Sequence, residues 1–137
     1  MVTGLGHVNL GVSDIEKSVE FYSKALGMEE MFRLINDEGV LCNVYLKVCH
    51  QQYIELSPAG YKPTESPTQS FRHICLHVSD MDAVIARVKE SGYAIGTPKT
   101  GADGNLQAFM RDPDDTIIEL MQLSPTGMQL SVDRKPE

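Results

Sequence analysis

The sequence predicts an α+β fold built from two copies of one module, each a strand, a helix and three further strands. The first observation is a repeat: HVNLGVSD at residues 7–14 returns as HICLHVSD at residues 73–80, with five of the eight positions identical. The second is a matching end, because YIEL at 53–56 resembles IIEL at 117–120. A chain of 137 residues with 42% hydrophobic content can bury an ordinary core.

Each copy opens on a strand that leads into a helix. Apolar residues alternate with polar or small ones, which is typical of a strand with one buried face. These apolar residues are Val8, Leu10 and Val12 in the first copy and Ile74, Leu76 and Val78 in the second. Ser13, with Glu16 three residues later, predicts a capping box at the start of the first helix, which Gly27 ends. Ser79 and Gly92 bound the second helix in the same way.

Three strands follow the helix in each copy. Runs of apolar and β-branched residues between turn signals predict them. They lie at 31–35, 41–48 and 52–56 in the first copy, and at 93–97, 106–110 and 116–123 in the second. We therefore expect a single domain at 1–125, followed by a C-terminal tail at 126–137.

Within that domain, module 1 spans about residues 1–57 and module 2 about 72–125. A linker at 58–71, rich in proline, serine and threonine, joins them. A module of this size buries too little surface to be stable alone. The two modules are therefore expected to pack together or to exchange partners with a second chain.

Composition and termini exclude several classes of protein. Nineteen acidic and twelve basic residues give a net charge of −7 without a basic cluster, so nucleic acid is an unfavourable partner. No signal peptide or long apolar run is evident, which favours a cytoplasmic protein that does not enter membranes. Cys42, Cys49 and Cys75 show no C-x-x-C spacing, so neither a disulfide framework nor a thiolate zinc site is indicated.

A histidine and a glutamate recur at matching places in the two modules. Glu55 follows His7 by 48 residues, and Glu119 follows a second histidine, His73, by 46. A carboxylate within an apolar strand must be paired, hydrogen-bonded, metal-bound or on a wet concave face. Packing gives no reason to repeat His and Glu, so the pattern predicts a shared metal site. Such a mixed nitrogen and oxygen set suits one divalent ion such as Ni, Zn, Co, Mn or Fe, with positions open for a substrate.

Several motifs resemble the vicinal oxygen chelate superfamily, whose members include glyoxalase I, methylmalonyl-CoA epimerase, extradiol dioxygenases and fosfomycin-resistance proteins. They are the H-x-N-L-x-V-x-D opening, F-Y-x-x-x-L-G-M at 21–28 and D-P-D-D-T-I-I-E-L at 112–120. The resemblance implies paired βαβββ modules whose mixed sheets curl around one metal ion, usually with a homodimer. It places His7, Glu55, His73 and Glu119 on the four ligand positions.

The carboxylate at Glu55 favours one branch of this family. Extradiol dioxygenases and fosfomycin thiol transferases use a His/His/Glu triad and do not need it, whereas nickel- or zinc-binding glyoxalase I proteins show His/Glu/His/Glu. The resemblance therefore implies a lactoylglutathione lyase-like lyase or isomerase. It would abstract a proton beside a chelated carbonyl/hydroxyl pair of a small α-oxygenated substrate or its thiol adduct, with Glu119 as first choice of base and Glu55 as second. The alternatives are an Fe(II) extradiol-type dioxygenase, a thiol transferase acting on an antibiotic epoxide, and a non-catalytic drug-binding protein of the same fold.

Further residues are expected on the same strand faces as the ligands. By alternation they are Asn9, Tyr53, Cys75, His77 and Met121, which are candidates for the pocket lining. The arginine and asparagine that hold glutathione in related lyases are replaced here by Gly11 and Ala59. The cations that could substitute for them are Arg33, Lys47, Arg72 and Lys99. Glutathione dependence is thus the part of the lyase assignment with the weakest support in the sequence.

Overall fold

The computed structural model describes residue 1, residues 4–58 and residues 70–133. Most of the predicted linker, residues 59–69, and the last four residues of the tail lie outside the described residues. The described residues divide into two compact units, residues 1 and 4–58 with 113–115, and residues 70–112 with 116–133. Each unit is considered by itself.

The first unit contains the predicted strand, helix and three strands. The elements are β1 (His7–Val12), α1 (Ile15–Lys24), β2 (Glu29–Ile35), β3 (Leu41–Cys49) and β4 (Gln52–Pro58). The strands form a four-stranded mixed sheet in the order β1-β4-β3-β2, in which β1 runs parallel to β4 and the other pairs are antiparallel. The prediction of a βαβββ unit is confirmed here.

Alternation divides this sheet into two faces. One face carries fully buried residues, Val44, Leu46, Ile54 and Leu56, and α1 contacts strands β2, β3 and β4. His7, Tyr45 and Glu55 alternate with those residues and therefore lie on the opposite face. We call this opposite face the pair face of the first sheet.

The second unit repeats the same order. Its elements are β5 (Ile74–His77), α2 (Met81–Glu90), β6 (Lys99–Thr100), β7 (Leu106–Arg111), β8 (Ile117–Gln122) and the short helix α3 (Met128–Val132). The sheet order is β5-β8-β7-β6, with β5 parallel to β8. Two four-stranded mixed sheets with helices agree with the predicted α+β class. The helix α3 gives regular structure to part of the predicted tail.

Two local predictions are wrong. The helices are capped by Asp14 and Asp80, whose carboxylates accept from Lys17 N at 3.0 Å and Ala83 N at 2.9 Å, and not by the serines that precede them. Aspartate is as good an N-cap as serine, so the S-D sequence places the cap one residue later.

The strand predicted at 93–97 is reduced to one bridge between Ile95 and Met110. Pro98 follows that stretch and has no N–H to donate, so regular pairing resumes only at β6.

Candidate functional site

The first His–Glu pair lies on the pair face of the first sheet. His7 opens β1, and Glu55 lies on the adjacent parallel strand, with Asn9 as its register partner. His7 Nε2 is 3.2 Å from Glu55 Oε2. The imidazole is 47% exposed and the carboxylate only 13%, so the histidine borders open space while the glutamate lies deeper in the sheet surface.

The second pair repeats this arrangement in the second sheet. His73 immediately precedes β5, and Glu119 on β8 is in register with Cys75. His73 Nε2 is 2.9 Å from Glu119 Oε2, with the side chains 41% and 8% exposed. The sequence repeat therefore appears in the structure as two equivalent pairs, each with an accessible imidazole and a sheltered carboxylate.

The pair distances suit two ligands of one ion. Metal–ligand bonds of about 2.1 Å place neighbouring ligand atoms about 3.0 to 3.4 Å apart around an octahedral or tetrahedral centre. The 3.2 Å separation of the first pair falls within this range and the 2.9 Å separation of the second lies just below it, and a direct hydrogen bond has the same length. Across residues 1, 4–58 and 70–133, no group of three or more His, Cys, Asp or Glu side chains is close enough to hold an ion. The four-ligand set stays a prediction.

An aromatic ring borders each pair at the same position of the third strand. Tyr45 is in register with Glu55, and Phe109 is in register with Glu119. The Tyr45 ring lies edge-on to His7 at 5.7 Å between centroids, and Phe109 lies edge-on to His73 at 6.2 Å. Sequence analysis did not single out either ring, although strand register from the glutamates could have found both.

The two rings differ by one hydroxyl, and that hydroxyl reaches the carboxylate. Desolvation, together with the hydrogen bond and the negative charge of Glu55, raises the pKa of the Tyr45 phenol. The neutral phenol therefore donates to Glu55 throughout the physiological range. Phe109 offers no such donor to Glu119.

The predicted lining residues have different surroundings, and their role in lining a pocket stays a prediction. Asn9 donates from Nδ2 to Ser57 Oγ at 2.7 Å, and Tyr53 lies edge-on to Tyr45 at 6.3 Å between centroids. Met121 is in register with His77. His77 also lines an open groove along the start of α2, with Val78, Asp80, Val84 and Arg87 among its neighbours.

Cys75 lies on the same strand face but is a poor nucleophile. Part of the residue reaches solvent. Burial of its thiol, with the charges of Glu119 and Asp103 adding to the effect, raises the pKa to about 11. At neutral pH the reactive thiolate is therefore a negligible fraction.

The four candidate cations differ in what the structure shows of them. Arg33 donates to the carboxylates of Glu16 on α1 and Glu30, which places it on the helix side of the first sheet. Lys47 is in register with Tyr53 and alternates with the buried Leu46, so it belongs to the pair face. Lys99 and Arg72 lie in the second unit and are exposed. Of these four cations, Lys47 is the one that the first sheet places on the pair face.

Comparison with known proteins identifies the family. The model of the Glyoxalase/Bleomycin resistance protein/Dioxygenase superfamily matches residues 4–120. The chain belongs to this superfamily. It is 27% identical to the virulence protein STM3117 of Salmonella typhimurium, over 89% of this chain and 85% of that protein. It is 29% identical to a probable lactoylglutathione lyase of Vibrio cholerae, over 85% of this chain and 88% of that protein.

Solved structures agree with the family. The crystal structure of TnmS3, an antibiotic binding protein from a Streptomyces species, superposes with a TM-score of 0.71 at 29% identity, covering 90% of this chain and 98% of that one. Enzymes and a binding protein thus share this fold, so the fold does not by itself decide the function. In the described residues, no helix has both the length and the apolar content needed to cross a bilayer.

Proposed function

We propose that this protein is a metal-dependent lyase or isomerase of the glyoxalase I type. The observation that carries the proposal is the pair of equivalent His–Glu contacts at 3.2 and 2.9 Å, one in each repeated unit. The ligands would be His7, Glu55, His73 and Glu119. The similarity to lactoylglutathione lyases of several organisms, at 25 to 29% identity, supports the same class of chemistry.

A bound divalent cation would supply a Lewis acid that makes the carbon-bound proton beside a chelated oxygen pair acidic. The protein's own contribution is then a base that moves that proton. In the proposed reaction a carboxylate takes the proton from the carbinol carbon and returns it to the neighbouring carbonyl carbon. The hydroxyl proton passes to the oxygen of that former carbonyl group. Hydroxyl and carbonyl exchange places, and nothing is gained or lost, so no further co-reactant is needed.

Glu119 is the base that the surroundings favour. The Tyr45 phenol donates to Glu55 and occupies a lone pair of that carboxylate, whereas Phe109 leaves the matching lone pair of Glu119 for a substrate proton. Glu119 is also the more sheltered of the two carboxylates, at 8% exposure against 13%. Glu55 is then mainly a ligand held in place by Tyr45.

The test measures metal binding and turnover separately. The nickel-loaded wild-type protein is assayed with methylglyoxal plus glutathione, and then with methylglyoxal plus small thiols. Glu119→Gln should lose more than about 100-fold in kcat, while Tyr45→Phe should change metal affinity by about 10- to 100-fold, as is usual for the partner of a ligand. Oxygen consumption with catechols on the iron-loaded protein, and full metal affinity in Glu55→Gln, would instead support the dioxygenase alternative.

We propose a homodimer as the working form. The pairs can then be supplied by one chain or by two, and mixing variants distinguishes these cases. Chains carrying His7→Ala and chains carrying His73→Ala are inactive alone under the proposal. If each site takes one pair from each chain, a mixed dimer regains one intact site and activity returns on mixing. If both pairs come from one chain, it does not.

A non-catalytic small-molecule binding protein is the second candidate. The similarity to the antibiotic binding protein TnmS3 supports it. So does the Phe32 ring, which stacks on Tyr45 at 4.6 Å between centroids and is 46% exposed, because it offers a flat apolar surface beside the first pair. Binding of planar aromatic compounds by metal-free protein, with no turnover of any α-oxygenated carbonyl compound, would favour this candidate.

A further inference from the structure

A polar trio lies on the pair face beside Glu55. Asn9 on β1 and Asn43 on β3 each donate from Nδ2 to the hydroxyl of Ser57 on β4, and both distances are 2.7 Å. Ser57 follows Glu55 by two residues on the same face of the strand. The trio therefore lies about 7 Å along the strand from the carboxylate, within reach of the same small molecule.

The trio is uncharged and can both donate and accept hydrogen bonds. Ser57 accepts both amide hydrogens and keeps its own O–H to donate. Each asparagine keeps a second N–H and a carbonyl oxygen. The trio can thus donate to and accept from a partner group but carries no charge to neutralise a carboxylate.

The repeat shows that this trio is not required by the fold. At the positions matching Asn9, Ser57 and Asn43, the second sheet has Cys75, Met121 and Gln107. The duplicated modules therefore share the His and Glu residues and differ at the positions two residues away on the same strands. A cross-strand network needed only to stabilise the sheet would have no reason to occur in one copy.

We infer that Asn9, Ser57 and Asn43 form a specificity subsite that binds an uncharged hydrogen-bonding group, such as an amide or hydroxyl, on the substrate. This inference rests on the proposed metal site and names the substrate class for it: an α-oxygenated carbonyl compound with a neutral polar arm. Lys47 is four residues from Asn43 on β3, about 13 Å away, and so does not supply a charge to this subsite.

The test uses a matched set of hydroxamic acids, which chelate a divalent metal through two neighbouring oxygens. Butyrohydroxamic acid has a plain arm, succinamohydroxamic acid an amide arm and succinohydroxamic acid a carboxylate arm of the same length. Their dissociation constants are measured by calorimetry on nickel-loaded protein. The amide arm should bind about 3- to 10-fold more tightly than the plain arm, and the carboxylate arm should gain nothing.

Variants locate the effect. Asn43→Ala and Ser57→Ala should abolish the preference for the amide arm while leaving butyrohydroxamic acid binding unchanged. Asn43→Asp should shift the preference to 4-aminobutyrohydroxamic acid, which carries an ammonium arm. Gln52→Ala removes an exposed amide from the same strand outside the trio and should change nothing.

Several outcomes would overturn the inference. The inference is wrong if all three compounds bind equally tightly, or if the preference for the amide arm survives in Asn43→Ala and Ser57→Ala. It is also wrong if those variants bind butyrohydroxamic acid less tightly as well, or if lower thermal stability is their only change. A preference for the carboxylate arm that Lys47→Ala removes would also overturn it. Failure of every hydroxamic acid to bind nickel-loaded protein would instead refute the proposed metal site, and the inference with it.

Discussion

Replacing Glu119 by glutamine should remove most of the stabilisation that a divalent metal gives this protein. The carboxylate is 8% exposed and supplies one of the two donor atoms of its pair, so water has poor access to replace it. At a free nickel concentration 100 times the wild-type dissociation constant, binding stabilises the folded state by about 2.7 kcal/mol. For a chain of this length that corresponds to a rise in melting temperature of about 8 to 11 °C.

The variant should show almost none of this rise. Disturbing the partner of a ligand lowers metal affinity by up to about 100-fold, and removing a ligand itself should cost at least as much. After a 100-fold loss, nickel at the same concentration stabilises the variant by only about 0.4 kcal/mol, or about 1 to 2 °C in melting temperature. Without metal, Glu119→Gln should melt at or slightly above the wild-type temperature, because a sheltered carboxylate costs desolvation energy that an amide does not.

The assay is thermal unfolding followed by fluorescence at increasing nickel, with the metal-free protein as reference. Glu38→Gln, at an exposed turn, is the control and should keep the full shift. A Glu119→Gln variant with the wild-type shift would refute the reasoning, because Glu119 would then not bind the metal. A wild-type protein with no shift at saturating nickel would refute it as well.

Three further predictions concern single groups. Tyr45 should ionise above the ordinary tyrosine pKa in an ultraviolet titration, because desolvation and the Glu55 carboxylate raise its pKa, and Tyr45→Phe should reduce the late phase by one tyrosine. The stability that this gives is present below the ordinary tyrosine pKa and is lost as pH rises through the folded value. Cys75, with a pKa of about 11, should react with iodoacetamide at pH 8 more slowly than a free thiol of ordinary pKa. A Cys75 rate equal to that of a cysteine in an unfolded peptide would contradict the burial of this thiol. Asn105→Ala should lower the free energy of unfolding by about 2 kcal/mol in urea denaturation. The buried amide of Asn105 donates to Gln129 Oε1 at 2.5 Å and accepts from Ser124 N at 2.8 Å, and the variant loses both hydrogen bonds. An unchanged urea midpoint would show that α3 is not fixed through this side chain.

The repeat and the alternation are enough to predict the modules. A His or Glu within an alternating strand has a fixed face, so the sequence alone assigns both histidines and both glutamates to one side of their sheets. The local errors arise where two chemically similar solutions compete. Serine and aspartate are adjacent before each helix and both can cap it, and only the backbone shows that Asp14 and Asp80 do so.

Contacts between strands that are distant in sequence are harder to predict. Tyr45 lies opposite Glu55 only because β3 and β4 pair with that register, and a register shift between Lys47 and Cys49 intervenes. The trio at Ser57 joins three strands, so no local sequence pattern predicts it. Side chains at such crossings become recognisable once the register is known.

The central claim is that the two His–Glu pairs bind a single ion, and metal stoichiometry tests it most directly. Nickel per chain is measured by mass spectrometry after equilibrium dialysis of three proteins: the wild type, His7→Ala/Glu55→Gln and His73→Ala/Glu119→Gln. We predict about one ion per chain in the wild type and almost none in either double variant, because each pair alone offers only two protein ligands. Two ions per wild-type chain, with each double variant losing one, would contradict the claim and make the pairs independent sites.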